Sequence, residues 1–258
     1  MPSKRSLILG TLLITAATGA LWLYERQKPM PPSASEYESL AETVEIDESS
    51  LHPRLRGLND WKRPDGPWHV AIQVGHLQAS DAPDELEKLR INTGTSYGKV
   101  TEWETSLAIA EKTKTILEAS GIAVEILPTT IPPNHWSDIF ISIHTDGNEN
   151  ASVSGYKVAS PRRDYTGKSE EFAATLGMEY QDATSLPFDD NITKAMRGYY
   201  AFNWRRYDHS IHPETVAAII ETGFLTNARA RSVIVKTPEI PAQGIASGIL
   251  SFLASQKK

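Results

Sequence analysis

The chain has 258 residues, of which 40% are hydrophobic and 22% are charged, and its formal net charge is −6. This balance is typical of a globular protein, and the negative charge argues against a nucleic-acid partner, whose phosphates attract basic surfaces. The absence of cysteine excludes a thiol nucleophile, thiolate metal ligands and disulfide bonds.

Three segments precede the predicted folded domain. Residues 1–5 are short and basic, and residues 6–24 follow them with an uncharged apolar run that is about long enough to cross a membrane as a helix. We interpret residues 6–24 as a transmembrane anchor, and the alternative is a signal segment that is cleaved. Residues 25–67 are rich in proline and acidic side chains and predict a linker, because they offer little apolar surface to bury.

Residues 68–258 are predicted to form a single α/β domain. Every second residue from Val70 to Val74 is a large aliphatic side chain, which predicts a strand. A long polar loop follows at Gln78–Val100, and loops of this length in compact domains are often functional. Thr101 and Glu104 then match a capping box, which predicts the start of a helix. Further strands are predicted at 122–127, 139–143, 155–159 and 215–220, and further helices at 169–182, 227–236 and 241–256.

Three of the predicted strands end at a residue that can bind a metal or carry a proton. These residues are His76, His144 and Glu221. Because open α/β sheets bind ligands at the carboxyl ends of their strands, we expect the three side chains to lie close together. Each also has a purely structural interpretation, since a histidine can cap a strand and Glu221 can pair with an arginine.

Glu102 is predicted to lie one residue inside the helix start, where its neighbour Glu104 is already used in the cap. Two histidines, one carboxylate and a water form a typical catalytic zinc site, and His76, His144 and Glu102 supply that set. A further carboxylate such as Glu221 could carry a proton from the water to a leaving nitrogen. The structural alternative is that Glu102 only stabilises the positive end of its helix.

Four segments of the chain together resemble the zinc-dependent N-acetylmuramoyl-L-alanine amidases. These bacterial cell-wall hydrolases cut the amide between the lactyl group of muramic acid and the first alanine of the stem peptide. The segments are Val74-Gly75-His76, Thr101-Glu102-Trp103, Ser142-Ile143-His144 and Glu221-Thr-Gly-Phe-Leu-Thr-Asn227. The resemblance runs from about Val70 to the C-terminal helix.

This resemblance implies a fold and a set of roles. The fold is a single catalytic domain with a mixed, mainly parallel sheet between helices. One Zn²⁺ per chain is bound by His76, Glu102 and His144, and Glu221 is the catalytic carboxylate. The sequence departs from the common family pattern at Gln73-Val74, where the family has Asp-Pro, but the departures leave these four residues intact.

The resemblance also implies peptidoglycan as the substrate, and therefore a catalytic domain outside the cytoplasm. With an anchor at 6–24, we expect a single-pass protein of the cell membrane whose catalytic domain lies on the extracytoplasmic side. Cleavage of that segment would instead give a secreted or periplasmic protein. The sequence identifies no regulatory protein, so a partner of that kind is left open.

Four further residues are predicted to bind substrate. Glu85 and Arg90 follow His76 and are candidates for the lip of the site, with a structural ion pair as the alternative. Arg197 and Tyr200 lie in an aromatic, basic segment that suits sugars and carboxylated peptides, with core packing as the alternative. Two alternative functions are a zinc carboxypeptidase-type peptidase, which would use the same metal ligands, and a peptidoglycan-binding module without turnover, which would not need all four residues.

Overall fold

The structure is a computed structural model that describes residues 51–256. The predicted anchor at 6–24 and the predicted linker up to residue 50 lie outside the described residues. Within residues 51–256, no helix is both long enough and apolar enough to cross a bilayer.

A mixed sheet forms the centre of the described region. The strands are β1 (His69–Val74), β2 (Ser96–Tyr97), β3 (Val100–Thr101), β4 (Ala123–Leu127), β5 (Ile139–Asp146), β6 (Lys157–Ala159) and β7 (Val216–Phe224). Of the strands described here, five form the central sheet in the order β4-β1-β5-β7-β6, and β2 pairs with β3 in a small antiparallel hairpin. All neighbours in the central sheet are parallel except β6 and β7, so the predicted mixed, mainly parallel sheet is confirmed.

Helices and short helical turns alternate with these strands. The α-helices are α1 (Glu102–Ala119), α2 (Ser169–Thr184), α3 (Lys194–Arg197), α4 (Ala228–Ile234) and α5 (Glu239–Ser255). The 3₁₀ turns are Pro53–Leu55, Leu58–Asp60, Ala79–Asp81, Asp84–Leu89 and Tyr200–Phe202. The predicted start of α1 is confirmed, because Thr101 is the N-cap and its hydroxyl accepts the backbone N–H of Glu104 at 3.4 Å.

The two faces of the sheet are covered differently. Helices α1, α2 and α5 pack on one face, where Ile72, Ile141 and Ile220 are buried in the larger apolar core. The opposite face is covered by short helical turns and loops around Leu86 and Phe140. Long helices therefore cover only one side, which corrects the prediction of a sheet between helices and leaves room for a site on the other side.

Strand alternation places the polar side chains of three neighbouring strands on this second face. Residues along a strand point alternately to the two faces, so Gln73, Ser142, His144 and Glu221 lie on the face opposite to the larger core. His144 and Glu221 are also paired across β5 and β7, which brings them side by side.

The structure corrects where two of these strands end. His144 and Glu221 were predicted to follow their strands, but β5 continues to Asp146 and β7 continues to Phe224. The residues after His144 and Glu221 were expected to form turns. They remain in the sheet because Asp146 of β5 pairs with Phe224 of β7, beyond a shift in register. His144 and Glu221 are therefore held inside paired strands, which restrains their backbone more than a loop would.

The compact domain also includes residues 51–67, which the sequence had placed in the linker. Leu58 is buried, and the Trp61 ring lies 5.7 Å from the Trp136 ring. The guanidinium of Arg63 forms an ion pair with the carboxylate of Asp138 at 2.6 Å. The predicted boundary at residue 68 is therefore wrong, because this segment supplies apolar and charged groups that the domain uses.

Candidate metal centre

His76, Glu102 and His144 meet at the carboxyl end of the sheet. Atom Oε1 of Glu102 lies 3.4 Å from Nε2 of His76 and 2.8 Å from Nδ1 of His144. The side chains are only 12%, 4% and 9% exposed for His76, Glu102 and His144. Within residues 51–256, they are the only group of three such side chains whose ligand atoms all lie within 4.8 Å of one another.

Two glycines allow the backbone to approach this cluster closely. A Cβ atom on Gly75 would lie 2.3 Å from the His144 ring, and one on Gly94 would lie 2.6 Å from Oε2 of Glu102. Gly94 also has a φ of +75°, which favours glycine, and His76 itself has a φ of 63°. A non-glycine residue with positive φ is uncommon and is often found at functional sites, so the surrounding packing determines the position of His76.

Glu102 is held in its charged form. Its Oε2 atom accepts the backbone N–H of Thr95 at 2.7 Å, and its Oε1 atom accepts that of Thr145 at 3.2 Å. Burial alone would raise the pKa of Glu102, but the hydrogen bonds and charges of His144 and His76 outweigh it and hold the pKa far below its usual range. A buried carboxylate that stays ionised is suited to bind a cation.

The outer ring nitrogens of both histidines have partners of their own. Nδ1 of His76 lies 2.9 Å from the carbonyl oxygen of Asn92, and Nε2 of His144 lies 3.4 Å from the hydroxyl of Tyr199. A carbonyl oxygen only accepts hydrogen bonds, so Nδ1 of His76 carries a hydrogen, and in the neutral ring Nε2 has the lone pair that a cation beside Glu102 would need. Two imidazole nitrogens and a carboxylate oxygen that converge in this way fit a zinc ion.

Glu221 lies beside the cluster without belonging to it. It lines the same cavity as His76 and His144, a space of about 240 Å³. Its Oε2 atom is buried and has no hydrogen-bond partner among the described residues. Burial raises the pKa of Glu221 well above its usual range, the charges of Glu102 and Asp146 add to this, and Lys157 opposes it. A carboxylate with an unpaired buried oxygen and a raised pKa therefore lies next to His76 and His144.

Glu85 and Arg90 lie outside this cavity. The carboxylate of Glu85 accepts the backbone N–H groups of Asp208 and His209 at 3.0 and 2.9 Å. The guanidinium of Arg90 donates to Asp84 at 2.6 Å and has a further bond to a backbone carbonyl. Both side chains are therefore engaged in contacts within the protein, as the structural alternative to substrate binding expects. Substrate binding by Glu85 or Arg90 stays a prediction.

Arg197 and Tyr200 are not brought to the cavity either. Arg197 is exposed at the end of α3, and Tyr200 is buried with its hydroxyl donating to the carbonyl oxygen of Thr129. The neighbouring Tyr199 lines the cavity instead. Sequence alone does not show which ring of the aromatic segment turns inward, and substrate binding by Arg197 or Tyr200 stays a prediction.

Sequence reasoning also missed Asn92, Gly94 and Thr95, although it marked their loop as functional. They contact His76 and Glu102 through backbone groups or through lack of a side chain. Backbone contacts of this kind leave little trace in residue type. The signals that could have indicated them are an asparagine and a glycine two positions apart, Asn92 and Gly94, in an otherwise unassigned loop.

Known structures share this fold. An N-acetylmuramoyl-L-alanine amidase from Clostridium difficile 630 is 21% identical over 74% of this chain and 100% of its own, with a TM-score of 0.53. The amidase Ami1 from Mycobacterium smegmatis is 17% identical over 73% of this chain and 98% of its own, with a TM-score of 0.55. The CwlD amidase from Clostridioides difficile, solved in complex with the GerS lipoprotein, is 17% identical over 73% and 99%, with a TM-score of 0.51.

Sequence comparison identifies the family. No curated protein sequence matches this chain. A family model described as N-acetylmuramoyl-L-alanine amidase matches residues 70–251, which include His76, Glu102, His144 and Glu221. Because this match spans most of the chain and the solved amidases share its fold, the chain belongs to the N-acetylmuramoyl-L-alanine amidase family.

Proposed function

We propose that this protein hydrolyses the amide between N-acetylmuramic acid and L-alanine in peptidoglycan, with one Zn²⁺ per chain bound by His76, Glu102 and His144. The observation that carries the proposal is the unpaired carboxylate of Glu221 in the same cavity as these three side chains. A zinc ion bound there would polarise the amide carbonyl and promote ionisation of water.

Glu221 has the position and the proton affinity for acid–base work. It accepts the proton of the attacking water and then delivers that proton to the amine nitrogen as the carbon–nitrogen bond breaks. Burial raises the pKa of Glu221, so the carboxylate binds a proton strongly once it is ionised. A cation next to Glu221 would favour the ionised form, which is the form that accepts the proton of water.

Product analysis tests this function and separates it from the alternatives. Full-length protein incubated with zinc and muropeptides is expected to release stem peptides with a free N-terminal L-alanine. Release of single residues from the peptide C-terminus would instead support a carboxypeptidase. Binding to peptidoglycan without any cleavage would support a binding module, and either result would contradict the amidase proposal.

We also propose that residues 6–24 anchor the protein in the cell membrane, with the catalytic domain on the extracytoplasmic side. The uncharged apolar run in this segment and the extracytoplasmic location of peptidoglycan support this topology. Protease added to intact spheroplasts is expected to digest the domain while cytoplasmic markers stay intact. Protection of the domain together with those markers would contradict the topology.

A further inference from the structure

The hydroxyl of Tyr199 is the polar group next to the outer nitrogen of His144. It lies 3.4 Å from Nε2, and the two rings meet edge to face with their centroids 5.5 Å apart. Nδ1 of the same histidine lies on the inner side, 2.8 Å from Oε1 of Glu102. The metal-binding and outer nitrogens of His144 therefore have different neighbours, and Tyr199 is the neighbour of the outer one.

A buried polar network fixes the Tyr199 hydroxyl. Gln73 is fully buried, and its Nε2 atom donates to the carbonyl oxygen of Thr129 at 2.7 Å. That bond directs the amide so that its Oε1 atom accepts hydrogen bonds from the hydroxyls of Ser142 and Tyr199, the latter at 3.2 Å. Nε2 of Gln73 also donates to the Tyr199 oxygen at 2.8 Å, which occupies one lone pair and leaves the second to accept from His144.

We propose that Tyr199 positions His144 in the metal-bound protein, by accepting a hydrogen bond from Nε2–H. The hydrogen then leaves Nδ1, which otherwise donates to Glu102 at 2.8 Å, and the Nδ1 lone pair faces the cation. This arrangement matches His76, where the Asn92 carbonyl accepts from Nδ1 and leaves Nε2 free. Both histidines are then held in the tautomer that binds a cation beside Glu102. The inference rests on the proposed zinc site, and it assigns to Tyr199 a role that acts through His144.

The positioning of His144 by Tyr199 can be tested by measuring zinc affinity, which does not depend on catalytic turnover. Tyr199→Phe keeps the ring and removes only the hydroxyl, and we expect zinc affinity in a chelator competition to fall about 10- to 100-fold. Tyr156→Phe is the matched control, because it also removes a buried hydroxyl, which donates to the Gly177 carbonyl at 2.8 Å away from the cluster. The control is expected to keep the wild-type affinity, and equal affinities for Tyr199→Phe and wild type would overturn the proposal.

A spectroscopic measurement locates the ring hydrogen of His144 directly. In the zinc-loaded protein, ¹H–¹⁵N correlations of the His144 ring are expected to place the hydrogen on Nε2, and its exchange with water should become faster in Tyr199→Phe. A hydrogen on Nδ1 would overturn the proposal while leaving the amidase function in place. Failure of the wild-type protein to bind zinc would overturn both.

Discussion

Replacement of Glu221 by glutamine is expected to leave zinc binding intact and to slow the turnover of muropeptides by about 10²- to 10⁴-fold, the usual contribution of a positioned acid–base group. Glutamine keeps the shape of the side chain and cannot carry the proton. The three zinc-binding side chains are unchanged, so the metal content should equal that of the wild-type protein. Turnover of purified muropeptides and metal analysis of the same preparation test both parts.

The stability of the metal-free Gln variant provides a control against misfolding. Burial raises the pKa of Glu221 above its usual value of 4.5, so the folded protein resists ionisation of this group. Stability of the metal-free wild-type protein should therefore fall as the pH rises from about 4.5 to the folded-state pKa, because the unfolded chain ionises first. Glu221→Gln lacks this loss, and its melting temperature at neutral pH is expected to be at least that of the wild type.

Two results would contradict the role given to Glu221. Near-normal turnover in the Gln variant would exclude it as the proton carrier. Loss of zinc in a variant that still folds would instead make it a ligand, and a site with a fourth protein ligand would leave no open position for water.

Replacement of His144 by alanine is expected to remove both zinc and activity. The change deletes one of the three proposed ligands and leaves the buried carboxylate of Glu102 without the nearer of its two histidine partners, at 2.8 Å. Glu102→Ala should behave in the same way, since its Oε1 atom lies between the two histidines. Metal analysis and turnover by each variant test this, and a chelator should inactivate the wild-type protein until zinc is restored.

Glu104→Ala is the matched control for Glu102→Ala. Both glutamates lie in the first turn of α1, but the carboxylate of Glu104 accepts the Thr101 hydroxyl at 2.6 Å and contacts no metal-binding side chain. Its removal is expected to cost about 1 kcal/mol of stability and to leave zinc content unchanged. Loss of zinc in Glu104→Ala, with zinc retained in Glu102→Ala, would contradict the assignment of Glu102 as the ligand.

The sequence by itself determined the parts of the site that depend on local pattern. The helix cap at Thr101 placed Glu102 at the first position of α1, as the structure shows. Hydrophobic alternation located β1, and short apolar or β-prone runs located β5 and β7. The order of these strands in a parallel sheet brings His76, His144 and Glu221 to one end. Caps and alternation depend on residues a few positions apart, and that spacing can be read directly from the chain.

Only the tertiary structure decided which side chains complete the site. Glu85 contacts His209 across 124 positions of sequence, and Gln73 contacts Tyr199 across 126. Two further features also depend on contacts between residues far apart in sequence. These are the packing of residues 51–67 on the domain and the position of Tyr199, instead of Tyr200, at the cavity. Contacts between distant residues depend on strand register and on how loops fold back over the sheet, and neither quantity is encoded in the short-range spacing that reveals strands and caps.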